Sequence, residues 1–239
     1  MRRSVVAVVG ALALVVAGGA VAAPGDLDTT FSGDGKWEKT GVSDPFGADA
    51  TDVALQPDGS MMVVGAYGAG RDWLFSLVAA DGSREIDVLR DDVASNEGAN
   101  AVARQPDGSF VAVGYRYNAN LANSTMAAVR VTAPAVFQDP SFGTSGRAVG
   151  PPGQALDALV QPDGKIVVVG VGYPTSSQDF AVWRLNANGS PDANFDGDGV
   201  ARIDLGTASD AAWAVALQAD GKLVVAGARA DDMAVVRLR

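Results

Sequence analysis

Aspartates recurring in one context are the first candidates for chemistry. Asp58, Asp107, Asp163 and Asp220 each precede a glycine, Gly59, Gly108, Gly164 and Gly221. Six residues after each of these stands another glycine, Gly65, Gly114, Gly170 and Gly227. Four carboxylates at equivalent places around a symmetry axis would focus negative potential and hold a cation. The simpler role is local: an aspartate in a Pro-Asp-Gly turn accepts a hydrogen bond from backbone two residues on. The turn role is the expected one. Arg130, Arg184 and Arg237 lie between apolar residues on strand-like segments, and a buried guanidinium needs a partner. The acids available are Asp139, Asp192 or a turn aspartate, and the expected role is structural. Leu77 replaces the arginine in the first copy.

Other groups are weaker candidates. Ser32-Gly33-Asp34-Gly35 and Asp196-Gly197-Asp198-Gly199 have the composition of calcium loops. Counted from Asp196, however, the twelfth position is Thr207 rather than a bidentate glutamate. The expectation is no cofactor, with calcium the one ion these acids would suit. Tyr115, Tyr117 and Tyr173 follow closing glycines in connections of variable length, where repeat proteins place recognition; they are the candidate ligand contacts. Trp73 and Trp183 fall on opposite parity of one strand type and should face different sides. The acids found in one copy only are Asp87, Asp91, Asp92 and Glu97, expected in a solvated polar stretch. No catalytic residue is assigned. Histidine and cysteine are both absent, which excludes disulfides, thiol nucleophiles and any Ser-His-Asp or Cys-His centre.

Periodicity indicates what must position these residues. ALQPDGSMMVVG, ARQPDGSFVAVG, LVQPDGKIVVVG and ALQADGKLVVAG are four copies of one unit. A second element, Asp-x-x-Phe-x-x-x-Gly, begins at Asp28, Asp139 and Asp192, and has decayed in the second copy to Glu85 and Val88. A third, typified by DFAVWRL, follows each closing glycine. Val- and Ile-rich runs bounded by Asp-Gly and Gly read as short strands. Pro-Asp-Gly between them reads as a hairpin turn. The chain beyond residue 23 is therefore expected to be all-β, with four repeats of four antiparallel strands at about 25–82, 83–135, 136–189 and 190–239. Such units bury two faces only by stacking, which favours a β-propeller. The chain holds whole repeats with almost no tail, which suits either a closed four-bladed ring or an open half of a larger assembly.

These motifs resemble the delta-60 repeat family, β-propeller-like repeats of exported bacterial proteins. Leu27, Asp28, Phe31 and Gly35 match its opening, QPDG and GKIVVVG its middle, and Arg184, Leu185 and Gly189 its end. The resemblance implies architecture and no established chemistry. Residues 1–23 have the basic start, apolar run and small-residue end of a secretory signal peptide. The protein is thus expected outside the cytoplasm, secreted, periplasmic or on the cell surface, and off the membrane once cleaved. The net charge of −10 argues against nucleic acid. The expected function is a non-catalytic module for ligand binding, scaffolding or surface assembly. Its partner would be an extracellular ligand or protein, and its state monomer or homodimer. The alternative is a carboxylate-based enzyme such as a glycoside hydrolase.

Overall fold

A computed structural model describes residues 23–38, 47–68, 72–83, 85–90, 97–118, 120–134, 136–173 and 177–239. Of residues 1–23, expected to be a signal peptide, all but the last lie outside them. The described elements are all strands. No helix among the described residues is long and apolar enough to cross a membrane. The turns explain why. Gly59, Gly108, Gly164 and Gly221 donate their N–H to the carbonyls of Gln56, Gln105, Gln161 and Gln218. All four glycines take φ between 82° and 90°, a left-handed conformation that closes a tight hairpin at little cost only for glycine.

Blade 1 is β1 (Ala48–Leu55), β2 (Met61–Tyr67), β3 (Asp72–Val78) and β4 (Glu85–Arg90), antiparallel in chain order. Blade 2 comprises β5 (Glu97–Arg104), β6 (Phe110–Asn118) and β7 (Asn120–Thr132), with the short β8 (Phe137–Gln138) on β7. Its outer strand is the first part of β9 (Arg147–Val160), where Val149 pairs with Ala127. The second part of β9 pairs with β10 (Ile166–Gly172) and begins blade 3, which continues with β11 (Asp179–Leu185) and β12 (Val200–Ile203). One strand therefore joins two blades into a single eight-stranded sheet. Blade 4 is β13 (Asp210–Leu217), β14 (Leu223–Arg229) and β15 (Asp232–Leu238). Blades 1–3 have the expected four strands. In blade 4, no outer strand pairs with β15 among the described residues. Sheets and sequence repeats are out of phase: the strands after the Asp139 and Asp192 elements close the preceding blades.

The closing glycines do not bound their strands, as their spacing suggested. β2, β6 and β10 run through Gly65, Gly114 and Gly170, and β14 through Gly227. The cause is a bulge in each blade's inner strand, seen as register shifts at Ala50/Asp52, Ala99/Ala101, Val169/Gly170 and Ala212/Ala214. The bulge drives the carbonyls of Asp49, Gly98, Gln154 and Ala211 into the space where a Cβ would sit.

The core lies between blades. Met62, Trp73 and Phe75 of blade 1 pack on Val102 and Phe110 of blade 2. Val111, Val113 and Met126 of blade 2 pack on Ile166 and Trp183 of blade 3. Val169, Phe180 and Val182 of blade 3 pack on Leu223 and Val225 of blade 4. Trp73 thus faces the next blade and Trp183 the preceding one, as their parity requires. Each fully buried large side chain contributes about 1.5–3 kcal/mol.

Candidate functional site

The tyrosines converge where blades 2 and 3 meet. β6 continues through Tyr115 and Tyr117, pairing Arg116 with Thr125 and Tyr117 with Ser124. The connection that follows Gly114 is therefore a hairpin extension over its described residues. Tyr115 is buried, and its ring meets that of Tyr117 edge-on at 5.0 Å. The Tyr117 hydroxyl accepts a hydrogen bond from Gln154 Nε2 of blade 3 at 2.6 Å. Tyr173 lies nearby, its pKa pushed up by burial and then by Tyr117. Tyr117 and Tyr173 are half-buried and keep some surface open.

The turn aspartates serve their own turns. The Oδ1 atoms of Asp58, Asp107, Asp163 and Asp220 accept the N–H two residues on, at 2.9–3.2 Å. Asp34 and Asp198 do the same in the glycine-rich loops. Hydrogen bonds from Ser60 hold Asp58 below its ordinary 3.8, and Ser141 and Lys222 do so for Asp139 and Asp220. Burial pushes Asp107 up, but the Ser109 hydrogen bonds and Arg130 outweigh it. Asp28, Asp81 and Asp192 are lowered too. A carboxylate whose folded pKa is depressed stabilises the fold above its unfolded pKa. That stability is lost as pH falls through the folded value. Asp157, pushed up by burial, acts in the opposite sense, alone against seven. With no histidine to titrate, the melting temperature should vary little between about pH 8 and 5 and fall below about pH 4. Calorimetric scans across this range check it; a melting point that rises on acidification to pH 3 contradicts it.

The unrepeated acids separate. Asp91 and Asp92 lie outside the described residues, and Asp87 is on β4. Glu97, expected in a solvated stretch, is instead 1% exposed on β5, with Arg147 at 3.2 Å and Arg116 at 3.6 Å. The signal available in the sequence was its place eight residues before Gln105, at the start of an inner strand. Two further acids clip blades together. Asp52 accepts N–H groups of Val53 and, across the interface, Val102, both at 2.8 Å. Asp157 does the same with Ala158 and Val215. Both oxygens of each are thereby engaged. A glycosidase needs one carboxyl kept protonated as general acid. The lowered turn aspartates are ionised at neutral pH, and Asp157 is committed to two backbone donors.

The arginines build a clamp. Arg130 Nη2 meets Asp139 at 2.7 Å, and its guanidinium lies 5.0 Å from the Phe142 ring centroid. Arg184 Nε meets Asp192 at 2.8 Å, over Phe195 at 4.4 Å. Each clamp ties the third strand of a blade to the Asp-x-x-Phe element that introduces its outer strand. In blade 1 all three residues are replaced together, by Leu77, Glu85 and Val88. In blade 4 Arg237 is exposed and makes no ion pair within 4 Å among the described residues. The remaining Asp-x-x-Phe element, Asp28 and Phe31, sits at the opposite end of the row of blades. There Ser32 N–H donates to Asp81 O at 2.6 Å, as Gly143 N–H donates to Asn188 O at 2.7 Å between blades 2 and 3.

Among the described residues, blades 1 and 4 therefore each present a face that no other blade covers. Met233 and Val235 occupy the register positions of Trp73 and Phe75, and of Phe180 and Val182. Those four are 0% exposed, whereas Met233 is 96% and Val235 67% exposed. Trp213, 61% exposed, stands at the bulge position from which Thr51 Oγ1 and Asn100 Nδ2 donate to Ala99 O and Ala155 O of the next blade. On blade 1, Val53 and Leu55 point the other way, also exposed.

Two stretches, residues 161–195 and 218–239, match a family model described as a domain of unknown function (DUF5122) beta-propeller. They contain the second and third strands of blades 3 and 4, with the Asp192–Phe195 element in the first. In these stretches the chain is similar to a β-propeller repeat. No curated protein matches the chain.

Proposed function

We propose that this chain is an exported, non-catalytic propeller module for assembly, and that a second copy completes its ring. The observation that carries this reading is the exposure of Met233 and Val235 at a register buried in the three other blades. Blade 4 offers the face that blades 1–3 present to their successors, and blade 1 offers the face that blades 2–4 present to their predecessors. The two ends are complementary by repetition, so copies stack head to tail, and two copies close a ring of eight blades. The Asp28–Gly35 element of one copy then stands beside β15 of the other. Arg237 gains Asp28 and Phe31 as its clamp. The carboxylate clips agree with an even count. Asp52 and Asp157 bridge blades 1 to 2 and 3 to 4, while Ala101 and Ala214 occupy the same place in blades 2 and 4. A blade 4 to blade 1 contact is thus of the same kind as blade 2 to blade 3. The half-buried Tyr117 and Tyr173 offer a ligand contact at the edge of such a ring.

Light scattering on the mature protein is expected to give twice the mass of one chain, dissociating on dilution. Arg237→Glu should weaken the dimer by about 2 kcal/mol, roughly thirtyfold in dissociation constant. Adding Asp28→Arg should restore much of the loss. A wild-type mass of one chain at every concentration overturns the reading, as does an Arg237→Glu dimer as tight as wild type.

A further inference from the structure

We propose that Asp179, Asp204 and Asp210 form a calcium site at the junction of blades 3 and 4. Asp179 opens β11, Asp210 opens β13, and Asp204 begins the link between β12 and β13. One carboxylate oxygen from each lies within 4.8 Å of the others. Asp210 is 0% exposed and Asp179 7%. Asp210 accepts hydrogen bonds from Leu205 N–H, at 3.0 Å, and from the Thr207 hydroxyl. Asp204 accepts from Gly206 N–H at 2.6 Å. Asp179 Oδ1, by contrast, is buried with no hydrogen-bond partner. Among the described residues no lysine or arginine forms an ion pair with any of the three. Two buried carboxylates beside a third repel one another unless a cation joins them.

The repeat supplies an internal comparison. Glu97 holds in blade 2 the register of Asp210 in blade 4, and the spacing of Asp204 to Asp210 recurs as Asp91 to Glu97. Glu97 is neutralised by Arg116 and Arg147. Arg229 stands opposite Asp210 as Arg116 stands opposite Glu97, but its Nε donates to Leu205 O at 2.7 Å. An acidic position met by guanidinium groups at one junction is left without a cation at the other. The donors are all oxygens, and the link that joins Asp204 to Asp210 turns at Gly206, φ 83°. Calcium accepts such an irregular carboxylate set, whereas magnesium demands near-octahedral geometry and retains water. A bound ion would pin the crossover between blades 3 and 4, fixing the position of the last blade.

Calorimetric titration of the mature protein with calcium chloride, beside melting curves, tests this. One ion should bind per chain with Kd about 10⁻⁴–10⁻³ M, raising the melting temperature, with magnesium giving a smaller rise. Asp204→Asn, at an exposed position, should weaken calcium binding by tenfold or more. Asp163→Asn, at an exposed turn aspartate, should leave it unchanged. Asp179→Asn should abolish the calcium response while leaving the calcium-free protein at least as stable; if it fails to fold, Asp204→Asn decides. No heat and no melting shift at about 10 mM calcium overturns the site. So does an Asp204→Asn protein that binds as wild type, or equal losses from Asp163→Asn.

Discussion

Gly170→Ala is expected to destabilise the protein by on the order of 4 kcal/mol or more, in the range seen only when a substitution has nowhere to go. The glycine lies inside β10, and a methyl group there would overlap the Gln154 carbonyl and crowd Ala155 Cα. Both are backbone atoms of the neighbouring strand, held by the β9–β10 register, so no rotamer change relieves the overlap. Relief requires undoing the bulge, which would also displace Asp157 and its cross-blade bond to Val215 N–H. Gly206→Ala is the control. That glycine has φ 83° with nothing within 4 Å of a new Cβ, so the cost is the left-handed backbone alone, about 1 kcal/mol. Urea unfolding of both variants measures the difference. A Gly170→Ala midpoint as close to wild type as that of Gly206→Ala contradicts the bulge account.

That glycine also marks the limit of what the sequence makes legible. Its recurrence after every Pro-Asp-Gly hairpin is plain, because hairpin turns are local and their residue types follow from backbone conformation. Its cause is a carbonyl on another strand, which no local pattern encodes. The same division holds elsewhere. The arginine and the Asp-x-x-Phe element are both visible as repeats, and Arg130 and Arg184 are nine and eight residues from Asp139 and Asp192, so a pairing is readable. That the element closes the blade before it, rather than opening the one after, depends on β9 crossing between sheets. Glu97 looked like one more acid in a polar run because its neutralising arginines come from β6 and β9. Asp179, Asp204 and Asp210 are ordinary residues of three separate segments until blades 3 and 4 pack. Tyr115 and Tyr117 follow a closing glycine that reads as the end of a strand, yet the hairpin simply extends through them.

Phe180 and Met233 offer the sharpest test of how blades stabilise one another, because they hold one register position in successive blades. Phe180 is 0% exposed between blades 3 and 4, in the cluster with Val169, Val182, Leu223 and Val225. Phe180→Ala removes its transfer free energy and leaves a cavity that flanking strands cannot fill, costing about 3–5 kcal/mol. Met233 is 96% exposed, and Met233→Ala in an isolated chain should change stability by less than about 0.5 kcal/mol. The second value depends on concentration if blade 4 is covered by blade 1 of another copy. Association stabilises the folded form by mass action, so a side chain buried in the dimer acquires a cost that a dilute chain lacks. Denaturation of both variants at low and high protein concentration separates the two situations. Phe180→Ala should lose the same amount at either concentration. Met233→Ala should be nearly silent when dilute and should lose about 1–2 kcal/mol when concentrated, the lower range for removing a buried methionine at a face less tightly packed than a core. Equal and negligible effects of Met233→Ala at both concentrations would mean that the exposed face of blade 4 stays exposed.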